Sequence, residues 1–438
     1  MNEFTTLADR ARDLPRDGSS RGLLGRRLEL LAERALRARL ARLEHGLVTL
    51  VDDGRRHTYG RATPRCALHV TLRVLDRRFY PEVAFGGSVG AGESFMAGDW
   101  TVDDLTSLVR ILLVNRGVLD GLDAGWARLA EPMRRLLHAA ARNSRTGSRR
   151  NIAAHYDIGN DFFELFLDPT MMYSCAVFER ADMTLEQAQI AKLDRICRKL
   201  ALQPGDHLLE IGTGWGALAL HAARHYGCRV TTTTISREQH ALARRRIDDA
   251  GLGERITLRL DDYRDLDGRY DKLVSVEMFE AVGHQYFDSF FRRCGELLVP
   301  GGTMLLQAIT IDDRQYESAR DSVDFIKRHI FPGCCIPSVT VMAQSARQSS
   351  TLRIVDLEDI GPHYAPTLAA WRANLLANAE RARSRGYPDA LLRMWQFYLS
   401  YCEGGFAERA LGDVQIVLQE SSVAVRPTPR PNSTRNAY

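Results

Sequence analysis

The 438-residue chain has eight cysteines but no CxxC pair, which excludes zinc-ribbon and thioredoxin-type readings. Cys334 and Cys335 are adjacent, a poor start for a disulfide framework, so all eight read as reduced thiols of a cytosolic protein. No run approaches the roughly 18 apolar residues that a membrane span needs. The opening MNEFTTLADRARDLPRDG holds no apolar leader core, so no signal peptide is expected. Charge of one sign is also scarce: 59 Lys and Arg against 55 Asp and Glu leave +4, too mild for a simple nucleic-acid binder. There is no internal repeat. His155 and His284 have no second ligand at metal spacing, so no metal is assigned.

What is present is globular: 45% hydrophobic and 26% charged residues, over a length that suits two or three domains. Residues 1–20 read as a loose lead-in and 422–438, with three prolines, as a disordered tail. Residues 21–145 read as a small α+β unit. It opens on a helix with Leu24, Leu28, Leu31 and Leu40 on one stripe. Strands are expected at 47–51, 68–74 and 83–85, then a turn-rich GGSVGAGESFMAGDW and a helix in TVDDLTSLVRILLVN. Residues 128–150 carry seven arginines against one acid, Glu131. With residues 21–42 they form two arginine-rich, apolar-interleaved segments, which are usually solvated faces but also suit anionic lipid headgroups.

Residues 146–421 read as a second unit in which strands alternate with helices: strands at 207–211, 229–235, 256–260, 272–277 and 303–309, helices at 217–226, 237–249 and 286–298. Two later strands are expected at 352–357 and 414–418. Such alternation indicates an α/β fold with a parallel sheet covered on both faces. Ligands of such sheets sit over the first strand–helix turn, here Glu210-Ile211-Gly212-Thr213-Gly214-Trp215-Gly216. A dinucleotide would want an acid at the end of the second strand, but that strand ends Thr231-Thr232-Thr233-Thr234-Ile235-Ser236. S-adenosylmethionine fits better, because its ammonium wants an acid such as Glu210, and Asp261-Asp262 after the third strand suits its adenine end. The competing view is of tight-turn glycines alone.

Glu277 and Glu280 follow the fourth strand, three residues apart and on one side if helical. A carboxylate there stabilises a cation or acts as a base; Glu280 is the stronger candidate, and a solvated acid is the alternative. Cys175 in Tyr173-Ser174-Cys175 has no charged activator beside it and reads as a packed residue rather than a nucleophile. Tyr364, after Gly361-Pro362-His363, is equally open to a core or a functional role.

Taken together, HYDIGNDFFELFLDP, MYSCAVF, AQIAKLDRICRKLAL, LLEIGTGWG, TISREQ, DDYRDL, SVEMFEAVG, FIKRHIFPG and the tyrosine before TLAAW resemble the cyclopropane-fatty-acyl-phospholipid synthase family of S-adenosylmethionine-dependent methyltransferases. Residues 21–145 resemble the extra N-terminal domain of its phospholipid-modifying members. The resemblance implies a Rossmann-like class I methyltransferase fold with a mostly parallel seven-stranded sheet. It implies methyl transfer to the cis double bond of an unsaturated acyl chain in membrane phospholipid, then proton removal by bound bicarbonate and ring closure. Bicarbonate would sit among Cys175, Glu280, Gln307, Ile309 and Tyr364, the cysteine acting through its backbone. Cofactor contacts would come from Tyr173, Ser174, Glu210, Gly212, Gly214, Gly216, Thr234, Gln239, Asp262 and Tyr263. The resemblance also implies work at the inner face of the membrane from the cytoplasm, and admits a homodimer.

One departure stands out. The family's histidine is Gln307 here, in LLQAIT. An amide hydrogen-bonds an anion but carries no positive charge and relays no proton. Either ring closure survives in a rearranged site, or the cation is diverted to a methyl- or methylene-branched chain. The remaining alternatives are a catalytically silent lipid-binding relative, disfavoured by the intact turn and Glu280, and a dehydrogenase, disfavoured by the acid-free second strand.

Overall fold

The protein is described by a computed structural model over residues 23–117 and 158–421. The lead-in, the arginine-rich 128–150 segment, the first residues of the HYDIGND motif and the tail lie outside the described residues.

The first unit begins with helix α1 (Leu23–Leu40), followed by strands β1 (Gly46–Asp52), β2 (Arg55–Arg61) and β3 (His69–Val74). Asp53 and Gly54 turn β1 into β2 with φ of 47° and 76°, the paired positive values of a tight hairpin turn. β2 escaped the sequence reading because RRHTYGR is almost wholly exposed and polar. The expected strand at 83–85 and turn-rich stretch after it are overturned: the strand, and the stretch as far as Ala97, lie in helix α2 (Phe79–Ala97), kinked at Gly87 and stopped at Gly98. Gly90 and Gly92 serve close packing rather than turns. A Cβ on Gly90 would stand 2.0 Å from the Glu82 carbonyl oxygen, and one on Gly92 2.3 Å from the Phe325 ring. Strand β4 (Trp100–Val102) and helix α3 (Leu105–Val114) complete the unit, α3 being capped by Asp104, whose side chain accepts from Ser107 N. The sheet order is β2-β1-β3-β4.

The second unit is built on β5 (His207–Ile211), β6 (Arg229–Thr233), β7 (Ile256–Arg259), β8 (Tyr270–Val276), β9 (Leu298–Ile311), β10 (Leu352–Asp359) and β11 (Leu411–Glu420). Their order is β10-β11-β9-β8-β5-β6-β7. The five strands from β9 to β7 are parallel, and β11 is antiparallel to both neighbours. This is the mostly parallel seven-stranded α/β sheet expected from the sequence. β5 lies between β6 and β8, so chain order reverses there and a crevice opens at the carboxyl ends of β5 and β8.

Helix α4 (Leu185–Lys199) starts in a capping box made by Thr184 and Gln187. Helices α5 (Arg237–Asp249), α6 (Phe287–Leu297), α7 (Tyr364–Ala377) and α8 (Asp389–Ala407) follow. α8 packs on α2, α3 and α7. Its Gly404 meets Val109 closely, Arg110 pairs with Glu408 at 2.7 Å, and Glu403 joins Thr106 to Arg372. One hydrophobic core therefore runs from Leu36 and Tyr80 through Phe162, Phe163 and Phe166 to Trp395. Each of these large buried side chains contributes roughly 1.5–3 kcal/mol.

Candidate active site

β5 delivers Glu210 and Ile211 to the glycine turn. Gly212, Gly214 and Gly216 all have positive φ, of 103°, 52° and 89°, values that L side chains adopt only with strain. The turn is tied to β6: Gly212 N and Thr213 N both donate to the Thr233 carbonyl at 3.0 Å. The Thr232 hydroxyl donates to Glu210 Oε2 at 2.6 Å. Burial pushes the Glu210 carboxyl up to about 8. Past β6, the Thr234 hydroxyl donates to Gln239 Oε1 at 2.8 Å, while Ser236 caps α5. Past β7, Arg264 grips both oxygens of Asp262 at 2.8 and 2.6 Å and lies over the rings of Tyr263 and Tyr286.

A cavity of about 720 Å³ opens over this turn. It is lined by nine of the ten expected cofactor residues: Tyr173, Ser174, Glu210, Gly212, Gly214, Thr234, Gln239, Asp262 and Tyr263. Gly216 is not among the lining residues; a Cβ there would meet Ala243 at 3.5 Å, so it serves helix packing. Glu280, Ile309 and Tyr364 line the same cavity, as does Glu277, whereas Cys175 and Gln307 stand behind its wall.

Glu277 is the hub of that wall. It directly follows β8 and has φ of 48°, uncommon for a residue with a side chain. Its Oε1 accepts from Cys175 N and from Gln307 Nε2, each at 2.8 Å, and its Oε2 from the Tyr364 hydroxyl at 2.7 Å. Behind it, Gln307 Nε2 also reaches Asp413 Oδ2 at 3.3 Å, and Gln415 Nε2 donates to Gln307 Oε1 at 3.1 Å. Burial, then the Glu277 charge, pushes the Asp413 carboxyl well above the usual carboxylate range and the Tyr364 phenol well above its own. Both shifts favour the protonated forms, and the Tyr364 hydroxyl is the donor to Glu277.

Glu280 sits in the single turn Phe279–Ala281. Its Oε1 accepts from Ile309 N, while Oε2 is buried with no hydrogen-bond partner among the described residues. Burial and the neighbouring Glu277 push this carboxyl up to about 8. The two glutamates share the cavity, as their spacing suggested, but through a strand end and a turn rather than one helix face.

The Cys175 thiol is fully buried against the Ala176 and Ile360 carbonyls, and burial pushes it far from the thiolate form. It contributes through its backbone N–H. Lys192, completely buried, donates to Ser174 Oγ at 2.8 Å and is pushed down to about 8 by burial. The sequence reading missed Lys192, Asp413 and Gln415 and ranked Glu277 below Glu280. The signals were polar residues at core positions: Lys192 between Gln189 and Ile196 on one helical face, and Asp413 and Gln415 two apart in a buried strand.

These residues fit S-adenosylmethionine. A Cβ at Gly214 would project into open space, the room a ligand needs against the backbone, and Glu210 offers a buried acid for an ammonium group. They do not fit a second anion in the same way. The donors expected to face bicarbonate are engaged: Cys175 N, Gln307 Nε2 and the Tyr364 hydroxyl by Glu277, and Ile309 N by Glu280. Among the described residues no cluster of metal-ligating side chains occurs.

Comparison with known proteins identifies the family. Residues 143–416 match the family model described as mycolic acid cyclopropane synthetase. The chain is 39% identical to tuberculostearic acid methyltransferase UfaA1 of Mycobacterium tuberculosis over 88% of its own length and 90% of that protein. It is 37% identical to the cyclopropane-fatty-acyl-phospholipid synthase of Escherichia coli over 79% and 87%. The solved mycolic acid cyclopropane synthase CmaA1, in complex with SAH and CTAB, superposes with a TM-score of 0.58 at 34% identity, covering 62% of this chain and 98% of that one. The chain belongs to the mycolic acid cyclopropane synthetase family and is an S-adenosylmethionine-dependent methyltransferase.

Proposed function

We propose that the enzyme adds the methyl carbon of S-adenosylmethionine to the cis double bond of an unsaturated fatty acyl chain carried in membrane phospholipid. The observation that carries this reading is a single cavity uniting the glycine turn and two glutamates with apolar walls from Ile309, Ile311, Phe331, Phe406 and Leu411. When bound, S-adenosylmethionine supplies a methyl group on a sulfonium, electrophilic enough for a weak nucleophile. Glu210 balances the cofactor's ammonium, and Thr234, Gln239, Asp262 and Tyr263 frame the rest of its site. Attack by the alkene leaves positive charge on the acyl chain. The carboxyl groups of Glu277 and Glu280 and the stacked rings of Tyr364 and Phe406, 4.2 Å apart, suit that charge. The apolar walls keep out water that would capture the cation.

Ring closure to a cyclopropane is supported by the Escherichia coli relative, which is named as a cyclopropane-fatty-acyl-phospholipid synthase. A methylene branch is the second reading. It is favoured by Gln307, fixed by its hydrogen bonds and unable to relay a proton, and by the relative named for tuberculostearic acid. Phospholipid as the carrier is supported by Leu113 and Arg116, which bring an apolar side chain and a cation from the first unit to the same cavity. No described helix is long and apolar enough to cross a membrane; we propose peripheral contact with anionic lipid, aided by the arginines of 128–150. Arg→Glu changes there are expected to weaken binding to anionic vesicles, and unchanged binding rejects a membrane role for that segment.

The test is incubation with methyl-labelled S-adenosylmethionine and vesicles of cis-unsaturated phospholipid, followed by NMR of the acyl chains. Upfield ring protons identify a cyclopropane and vinylidene signals a methylene branch. No labelled chain from any such lipid refutes the acyl substrate.

A further inference from the structure

We propose that Glu277 is the enzyme's own base: its carboxylate occupies the place expected for bicarbonate and takes the proton that the methylated acyl chain loses. This rests on the fatty-acyl reading above.

Four observations converge on Glu277. First, its two oxygens collect three donors, Cys175 N, Gln307 Nε2 and the Tyr364 hydroxyl, at 2.7–2.8 Å. These are three of the five positions assigned to bicarbonate, and a carboxylate reproduces the O–C–O edge of that anion. Second, Glu277 reaches the seat only by adopting φ of 48° at the end of β8, backbone strain of the kind that persists where the surroundings over-determine a site. Third, the other two acids take little from these donors: Asp413 Oδ2 shares only Gln307 Nε2, at the longer 3.3 Å, and Glu280 takes Ile309 N instead. Burial and the Glu277 charge favour the protonated forms of Asp413 and Glu280, and the buried Lys192 amine donates to Ser174 Oγ, next to Cys175. Fourth, Glu277 lines the reaction cavity while Gln307 stands behind it. A base that faces the substrate directly needs no histidine relay, which gives the amide at 307 a role as a fixed donor.

The step balances without any further reagent. The alkene π pair forms the new C–C bond as the methyl–sulfur bond breaks, and the pair of that bond goes to sulfur. A C–H bond of the added carbon then breaks. Its proton passes to a Glu277 oxygen, and its electron pair closes the three-membered ring. In the branched outcome a 1,2-hydride shift comes first, and the same pair becomes the C=C bond of the methylene group. The proton leaves Glu277 to solvent after product release.

The experiment compares wild type with E277G and E277Q in carbon-dioxide-depleted buffer, using labelled S-adenosylmethionine and cis-unsaturated phospholipid vesicles. Wild-type turnover is expected to stay within about twofold when millimolar bicarbonate is added. E277G suits the positive φ and vacates the seat. Its turnover is expected to fall about 100-fold or more, the scale of a lost general base, and to recover at least about tenfold with bicarbonate. E277Q fills the seat with a group that accepts no proton and is expected to be equally slow but beyond rescue. Calorimetry adds a readout that needs no acyl substrate: bicarbonate is expected to bind E277G and not wild type, with S-adenosylhomocysteine affinity retained in both variants as the check on folding. Labelled product that requires bicarbonate in the wild type, bicarbonate binding to the wild type, or full turnover by E277G without bicarbonate overturns the base role alone. No labelled product from any such lipid overturns the fatty-acyl reading and the base role together.

Discussion

Gln307 and Gln415 face each other across antiparallel neighbours, and the Gln415 amide donates to Gln307 Oε1 at 3.1 Å. That bond fixes which end of the Gln307 amide is N–H, so its donor points at Glu277. Gln307→Leu is expected to leave the Gln415 amide and Glu277 each short of a partner, at a cost of about 1–3 kcal/mol. Denaturant unfolding checks this, and turnover is expected to fall more than about tenfold with S-adenosylhomocysteine affinity within about threefold. A stable, fully active variant refutes the positioning role.

Cofactor affinity is expected to depend on Glu210. Burial holds its carboxyl at about 8 in the free protein, so near neutral pH the protonated form is favoured. An ammonium beside it favours the ionised form. Binding therefore releases a proton, and affinity rises as pH climbs from 6 toward 8. Calorimetry in buffers of different ionisation enthalpy measures that release; Glu210→Gln is expected to abolish it and weaken binding about tenfold.

Gly214→Ala separates strain from steric exclusion. No atom lies within 4 Å of the added Cβ, so stability is expected to fall only by about 1 kcal/mol, the cost of a side chain at φ of 52°. The methyl group projects into the cavity, and S-adenosylhomocysteine binding is expected to weaken at least about tenfold. Equal affinity would place the cofactor elsewhere.

Cys175→Ala keeps the backbone N–H that reaches Glu277 and removes only the buried thiol. Turnover is expected within about tenfold of wild type, with loss of stability from the small void. Loss of all activity in a folded variant would restore the thiol to the chemistry.

The α/β unit was legible because its strands are short apolar runs bounded by glycines and its helices keep their period. The glycine turn could be located for the same reason, at the carboxyl end of β5, and Glu280 by its place after β8; Ile309 was named, and Tyr364 given a role, only through the family resemblance. The first unit was harder. In α2 the glycines at 90 and 92 look like loop punctuation, yet Gly90 is required by the Glu82 carbonyl across the helix kink and Gly92 by Phe325, a contact between segments far apart in the chain. Glu277 was undervalued for a related reason. Its importance comes from partners at 175, 307 and 364, which only the folded sheet gathers around it.

Leu113 and Arg116 belong to the first unit yet share the reaction cavity with the glycine turn. On the proposed reaction, the first unit thus forms part of the vessel that would hold the carbocation on the chain. Where that wall is breached, the competing nucleophile is bulk water, and the chemical signature of the leak is a methylated alcohol in place of a ring or an alkene. On that reaction, product purity, rather than rate, is the property that the packing of α3 against α8 is expected to protect.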